Sequence, residues 1–200
     1  MNRWHRWYCQ SNRWKHRLDT EVLPWSLKGV DLGGEVLELG PGPGLTTEWL
    51  RHHGGHITCL EVDSTLACAL RERIADATVT VHVGDATAMP FHDAMFSAVL
   101  SLTMLHHVPS PALQDRLFGE AFRVLKPGGT FAGSDSVRSL WMRVVHLADT
   151  LVTLDPERLP ARLEAVGFQD VGVETSGGRF RFRARRPPTL RAASDSPDKV

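Results

Sequence analysis

The stretch 36–44, Val36-Leu37-Glu38-Leu39-Gly40-Pro41-Gly42-Pro43-Gly44, constrains this chain more than any other. An apolar run carrying one carboxylate leads straight into alternating glycines, and Leu45-Thr46-Thr47-Glu48-Trp49-Leu50 then opens a helical pattern. A buried strand, a tight glycine turn and a helix N-terminus are the parts of a βα unit that holds a nucleotide-like ligand. The chain has 200 residues, 42% hydrophobic and 23% charged, enough to bury one core around such a unit. Lys plus Arg and Asp plus Glu both number 23, so no overall polycation is available to hold nucleic acid by counterion release.

Downstream, the pattern alternates. Strands are predicted over 36–39, 57–62, 79–83, 98–102 and 129–134, and helices over 46–53, 64–75 and 111–124. That order argues an α/β fold with a parallel sheet covered on both faces. Trp141, Val144, Val145, Ala148, Leu151 and Val152 predict a helix over 140–154. Residues 156–165 predict another, with Gly167 as its C-cap. Runs 169–175 and 179–185 flank Ser176-Gly177-Gly178 and read as an antiparallel hairpin, with Phe180 and Phe182 alternating with arginines. Residues 187–200 are rich in Pro, Ser and charge and read as a disordered tail. Upstream, Trp7, Trp14 and Leu18 share one helical face until Leu23-Pro24-Trp25 breaks or restarts the helix. This N-terminal helical cap, residues 1–34, reads as tryptophans packed on the core, as a lid, or as a basic arm. Cys9, Cys59 and Cys68 show no metal-ligand pairing and read as reduced, hence a cytoplasmic protein, with Cys59 and Cys68 as small core residues. No apolar run is long enough to span a membrane and no signal peptide is visible.

Details of the glycine turn narrow the ligand. The dinucleotide fingerprint needs a third glycine where this chain has Leu45. A carboxylate at Glu38 would repel a pyrophosphate and favour a cationic ligand without phosphate, and S-adenosylmethionine fits. Glu61 ends the next strand, where an acidic side chain can take both ribose hydroxyls. Asp63 reads as the N-cap of the following helix. Asp85, in Gly84-Asp85-Ala86, reads either as an acceptor for an adenine amino group or as a turn aspartate.

With these stretches, Leu105-His106-His107-Val108 and Arg123-Val124-Leu125-Lys126-Pro127-Gly128-Gly129 complete an ordered set. The chain thereby resembles the class I S-adenosylmethionine-dependent methyltransferases, in particular the small-molecule branch called the methyltransferase type 11 domain, over roughly residues 30 to 185. The resemblance implies a Rossmann-like, mostly parallel sheet with helices on both faces and an antiparallel edge hairpin, in a methyltransferase domain spanning 35–186. It also implies a cofactor site. Gly40, Pro41, Gly42 and Gly44 would let the backbone approach the methionine and ribose parts, and Glu38 would orient the ammonium end. Glu61 would bind the ribose, with Val62 against the adenine ring and Asp85 and the Ala86 backbone on its edge. Ser101 and Leu102 would lie beside the sulfonium. The family often has an Asp where this chain has Ser97; that Asp is read as structural.

Methyl transfer from a sulfonium needs a general base only if the acceptor holds its proton tightly, so no catalytic residue is required. The candidates are His106, His107 and Tyr8, with His5, Asp135 and His146 behind them; Asp135 faces the pocket side by topology but reads first as a loop cap or turn. Enzymes that methylate adenine amino groups carry an Asn-Pro-Pro-Tyr-like motif where this chain has Ser101-Leu102-Thr103-Met104, which disfavours nucleic acid as partner. No metal-ligand set is evident. The expected function is methylation of a small, lipophilic molecule. The alternatives are an rRNA-type nucleic-acid methyltransferase and a non-catalytic cofactor-binding protein of the same fold. A nicotinamide dehydrogenase is set aside because of Glu38 and Leu45. The sequence does not define an oligomeric state.

Overall fold

The structure, a computed structural model, describes residues 12–137 and 151–189. Its strands are β1 Glu35–Leu39, β2 His56–Glu61, β3 Val79–Val83, β4 Phe96–Leu102, β5 Leu125–Ser136, β6 Gln169–Ser176 and β7 Arg179–Arg185. They form one sheet in the order β3-β2-β1-β4-β5-β7-β6. The first five pair in parallel, and β7 runs antiparallel to both β5 and β6, as expected of a Rossmann-like sheet with an edge hairpin. β1 lies at the centre, with Leu39 opposite Leu60 on one side and Ser101 on the other.

Strand alternation divides the core into two faces. Leu37, Leu39, Val99, Phe131, Phe180 and Phe182 face one side, with Leu117, Phe118 and Ala121 of helix α5 (Pro111–Val124) and Leu159 and Leu163 of α6 (Leu159–Val166). Val36, Ala98, Leu100 and Ala132 face the other, covered by Leu50 of α3 (Leu45–Leu50) and Ala67 and Leu70 of α4 (Ser64–Arg73). Each large side chain removed from water here contributes about 1.5–3 kcal/mol. The N-terminal segment joins the second face. It runs through α1 (Asn12–Arg17), a π-helical turn Leu18–Val22 and α2 (Leu23–Ser26), burying Leu18, Val22 and Leu23. Pro24 sits in the first turn of α2, where its missing N–H costs nothing, so the helix restarts rather than ends.

The arginines of β7 hold this segment against the sheet. Arg179 lies over the Trp14 ring and Arg181 over the Trp25 ring, each 5.4 Å from the centroid. Arg181 also donates to the Trp25 carbonyl and to both oxygens of Glu174, and Arg183 donates to the Gly29 carbonyl. The hairpin turn has Gly177 at φ 55 and Gly178 at φ 76, the left-handed pair that a two-residue turn requires.

Several expectations are corrected. Residues 151–154 are not helical: the Val152 N–H donates to the His106 carbonyl, and Pro156 disfavours helix at the residue before it. The rest of the helix expected over 140–154, residues 140–150, lies outside the described residues. The next helix begins at Leu159 rather than 156, because Asp155 caps a turn by accepting the Glu157 N–H, and Pro160 fits the first helical turn. Helix α3 ends at Leu50, short of 53. β5 begins at Leu125, pairing with Phe96; the 126–129 turn bulges out before Thr130 rejoins opposite Ala98. Cys68 is exposed, since α4 turns Ala67 and Leu70 inward, whereas Cys59 is buried. Of the tail 187–200, residues 190–200 lie outside the described residues, as do Cys9 and Trp7.

Candidate functional site

From β1 the chain crosses one way to β2 and β3, and β4 then lies on the other side of β1. At such a switch point the loops leaving the carboxyl ends of two neighbouring parallel strands part and open a crevice. Gly40 leaves β1 there, and Ser101, Leu102 and Thr103 leave β4. The glycines do what the turn needs: Gly40, Gly42 and Gly44 have φ of 60, 54 and 76. At Gly42 a Cβ would meet nothing within 4 Å, so the turn borders open space; at Gly40 it would strike the Met104 side chain.

Two buried carboxylates stand under the turn. Glu38 is on the same face of β1 as Val36, and its Oε2 accepts from the Thr47 hydroxyl of α3 at 2.6 Å, with the Cys59 Sγ at 3.5 Å. Burial pushes its carboxyl up to about 7, against those two hydrogen bonds. Glu61, at the end of β2, accepts from the Gly42 N–H at 2.9 Å on one oxygen and from the Asp63 N–H at 3.0 Å on the other. Each oxygen keeps a second acceptor site. Arg73 of α4 holds the far side of the turn, donating to the carbonyls of Pro43 at 2.8 Å and Gly44 at 3.1 Å.

Around this frame the remaining residues fall as follows. Val62 is 71% exposed beside Glu61, an apolar side chain open at the strand end. Asp63 caps α4, accepting from Thr65 and Leu66. Asp85 is exposed and accepts from the Thr87 N–H at 2.7 Å, the geometry of a turn aspartate, and Ala86 is half-buried next to it. Ser101 is fully buried and its hydroxyl has no hydrogen-bond partner among the described residues; Leu102 is buried beside it. Thr103 follows at φ 55, a strained value for a β-branched residue, with its N–H donated to the Ser134 carbonyl. Ser97, where the family often has Asp, donates its hydroxyl to the Glu35 carbonyl and so ties β4 to the start of β1.

His106 is the middle residue of the next turn, a 3₁₀ turn Leu105–His107, and is buried. Its Nδ1 is 2.6 Å from Asp135 Oδ1, and its backbone N–H donates to Asp135 Oδ2 at 3.1 Å. Burial pushes the Asp135 carboxyl up, but the His106 imidazole and the N–H groups of Ser136 and His106 outweigh it and hold it below the usual carboxylate value. Asp135 is thus neither a free pocket residue nor a simple loop cap. His107 is half-buried, its ring 4.2 Å from that of His106. Tyr8, His5 and His146 lie outside the described residues. Among the described residues no group of three His, Cys, Asp or Glu is placed to hold a metal ion.

Sequence reasoning missed Thr47, Met104, Arg73 and Gln114. The Gln114 amide donates to the carbonyls of Leu105 and Val152 and so ties segment 151–154 to the His106 turn. None of the four has a local signal: each meets its partner across elements.

Residues 37–133, just under half of the chain, match the family described as Methyltransferase domain, and the fold is the one that the solved methyltransferases named below share. The chain is 31% identical over 132 residues to a ubiquinone biosynthesis O-methyltransferase of Pseudomonas fluorescens, covering 62% of this chain and 55% of that protein. It therefore spans little more than half the length of that relative. Among solved structures, a methyltransferase of Thermotoga maritima, described as a possible histamine N-methyltransferase, superposes with a TM-score of 0.71 at 21% identity, covering 92% of this chain and 98% of that one. Phosphoethanolamine N-methyltransferase 2 of Haemonchus contortus, solved with S-adenosyl-L-methionine, superposes with a TM-score of 0.72 at 18% identity, covering 92% and 56%. The residues present fit that ligand: open space above Gly42, buried carboxylates rather than cations beneath it, and an orphaned Ser101 hydroxyl at the switch point.

Proposed function

We propose that this chain transfers a methyl group from S-adenosylmethionine to a small, lipophilic acceptor. The carrying observation is the glycine turn at the switch point, held by Glu61 through the Gly42 N–H and underlain by buried Glu38. Glu61 binds the ribose hydroxyls with its remaining acceptor sites, and Val62 lies against the adenine ring. The backbone of Gly40, Pro41, Gly42 and Gly44 approaches the methionine and ribose parts. Glu38 orients the ammonium end through its negative charge, while Asp85 and the Ala86 backbone meet the adenine edge. Ser101 and Leu102 flank the sulfonium. S-adenosylmethionine, when bound, supplies an electrophilic methyl group with a neutral thioether as leaving group. The chain's own contribution is positioning and exclusion of water, which can supply most of the acceleration. The name of the Pseudomonas fluorescens relative supports an oxygen as acceptor atom.

Calorimetry with S-adenosylhomocysteine tests the reading. The chain is expected to bind it, and Glu61→Ala to weaken binding by about 10–100-fold, the cost of losing hydrogen bonds to a charged group. Absence of binding by the unaltered chain would sink the reading.

A further inference from the structure

Arg73 is the last residue of α4, and its guanidinium reaches the glycine turn. Its Nη2 donates to the Pro43 carbonyl at 2.8 Å and to the Gly44 carbonyl at 3.1 Å, and its Nη1 lies 3.6 Å from Glu48 Oε2 on α3. The glycines of the turn differ in what they admit. A Cβ at Gly42 would meet nothing within 4 Å, whereas one at Gly44 would strike the side chains of Leu70 and Arg73. Gly42 thus borders the open space, and Gly44 leaves room for α4. Glu48 is also bonded by Arg51, which pairs with Asp76, so a chain of charges across α3 and α4 orients the Arg73 fork.

An ion pair on a side chain 45% exposed contributes little to stability. The turn gives Arg73 a different use. Three glycines at positive φ within five residues leave the unbound backbone many alternative shapes. A ligand that binds such a turn must order it, and the ordering is subtracted from its affinity. The first limb of the turn is held by the Gly40 N–H on the Leu60 carbonyl and the Gly42 N–H on Glu61. Arg73 holds the second limb, Pro43–Gly44.

We infer that Arg73 is a positioning residue for the cofactor: it fixes the Pro43 and Gly44 peptides, so that the turn has its receiving shape before the ligand arrives. The inference rests on the S-adenosylmethionine reading of the site. The part of the ligand concerned is the amino-acid end, because in that reading Glu61, Val62 and Asp85 meet the adenosine end.

The test is Arg73→Met in the full chain, which keeps most of the side chain's length and removes its donors. Amide hydrogen exchange at Gly42 and Gly44 in the ligand-free protein is expected to quicken by about tenfold or more. By calorimetry, affinity for S-adenosylhomocysteine is expected to fall by about 5–20-fold. Affinity for 5′-methylthioadenosine, which has the same adenosine but no amino-acid end, is expected to change by less than about threefold. Arg73→Lys keeps a donor without the fork; it is expected to lie between, and is the variant to read if Arg73→Met fails to fold. Arg71→Met is the control, since Arg71 lies on the same helix and donates to the Val81 carbonyl of β3 at 2.7 Å. It is expected to leave both affinities and the turn's exchange unchanged. Retained affinity for S-adenosylhomocysteine in Arg73→Met, or unchanged exchange at Gly42 and Gly44, would overturn the inference. So would equal losses for the two ligands, or the same losses in Arg71→Met, because a general loosening of α4 would then account for them. Failure of the unaltered chain to bind S-adenosylhomocysteine overturns the cofactor reading instead, and the exchange rates still decide whether Arg73 holds the turn.

Discussion

Glu38 is a carboxylate at the centre of a sheet, and its energetics follow from that place. Burial raises it from an ordinary 4.5 to about 7, so the folded chain holds this proton more tightly than the unfolded one. The stability it contributes is complete below pH 4.5 and is lost as pH rises to about 7. Glu38→Gln keeps an acceptor for the Thr47 hydroxyl and removes the charge. The variant is expected to exceed the natural protein in stability at about pH 8 by up to about 3 kcal/mol, the gap closing towards pH 5. Urea midpoints across that range measure it, and equal midpoints at the alkaline end would show that the charge is not desolvated. The same substitution is expected to weaken S-adenosylhomocysteine binding, since the ammonium end loses its counter-charge. A residue retained at a cost to stability and needed for the ligand is what a binding site predicts. Glu38 and Glu61 were legible as acidic residues at strand ends. That Thr47 bonds the first and Gly42 the second was not, because both contacts form only when α3 and the turn close over the strands.

Among the elements, the β6–β7 hairpin has the least expected role. Its alternating Phe and Arg was readable as one buried and one polar face. The buried face behaves as read: Phe180 and Phe182 are fully buried. The arginine face is engaged with neighbouring segments rather than left wholly to solvent. Arg181 and Arg183 bond the carbonyls of Trp25 and Gly29, and Arg186, just past the strand, caps those of Phe122, Arg123 and Leu125. Arg181→Ala removes the ring contact, the Glu174 pair and a carbonyl donor together, and is expected to cost about 1–2 kcal/mol. Limited trypsin digestion is expected to cut after Lys15 and Arg17 faster in this variant, as α1 and α2 loosen. Arg181→Lys should recover little, because an ammonium cannot match the planar fork that meets Glu174 and Trp25 together. An unchanged cleavage rate would mean that the buried leucines alone hold the segment.

At the scale of the whole molecule, one sheet separates two cores, and its cohesion depends on how closely β4, β5 and β7 approach. Gly133 sits at that junction, opposite Ser101 on β4 and Phe182 on β7. A Cβ there would strike the Ser101 carbonyl oxygen and the Phe182 ring. Gly133→Ala is expected to cost about 1–3 kcal/mol through overpacking and to lower the melting temperature measurably. Because Ser101 borders the crevice, cofactor affinity is expected to fall with it. No helix among the described residues is long and apolar enough to cross a membrane.

The sequence by itself determined the order of strands and helices, the glycine turn and its acidic neighbours, and the hairpin with its left-handed glycines. Those features are written in local periods and in backbone freedom, which neighbouring residues decide. Tertiary structure alone decided what the polar groups are bonded to. His106 and Asp135 are separated by 29 positions, Arg181 and Trp25 by 156, and no spacing rule reaches so far. The same limit explains the misread segment at 151–154: its apolar period fits a helix, but its backbone is taken by the His106 turn, a partner that only folding brings near.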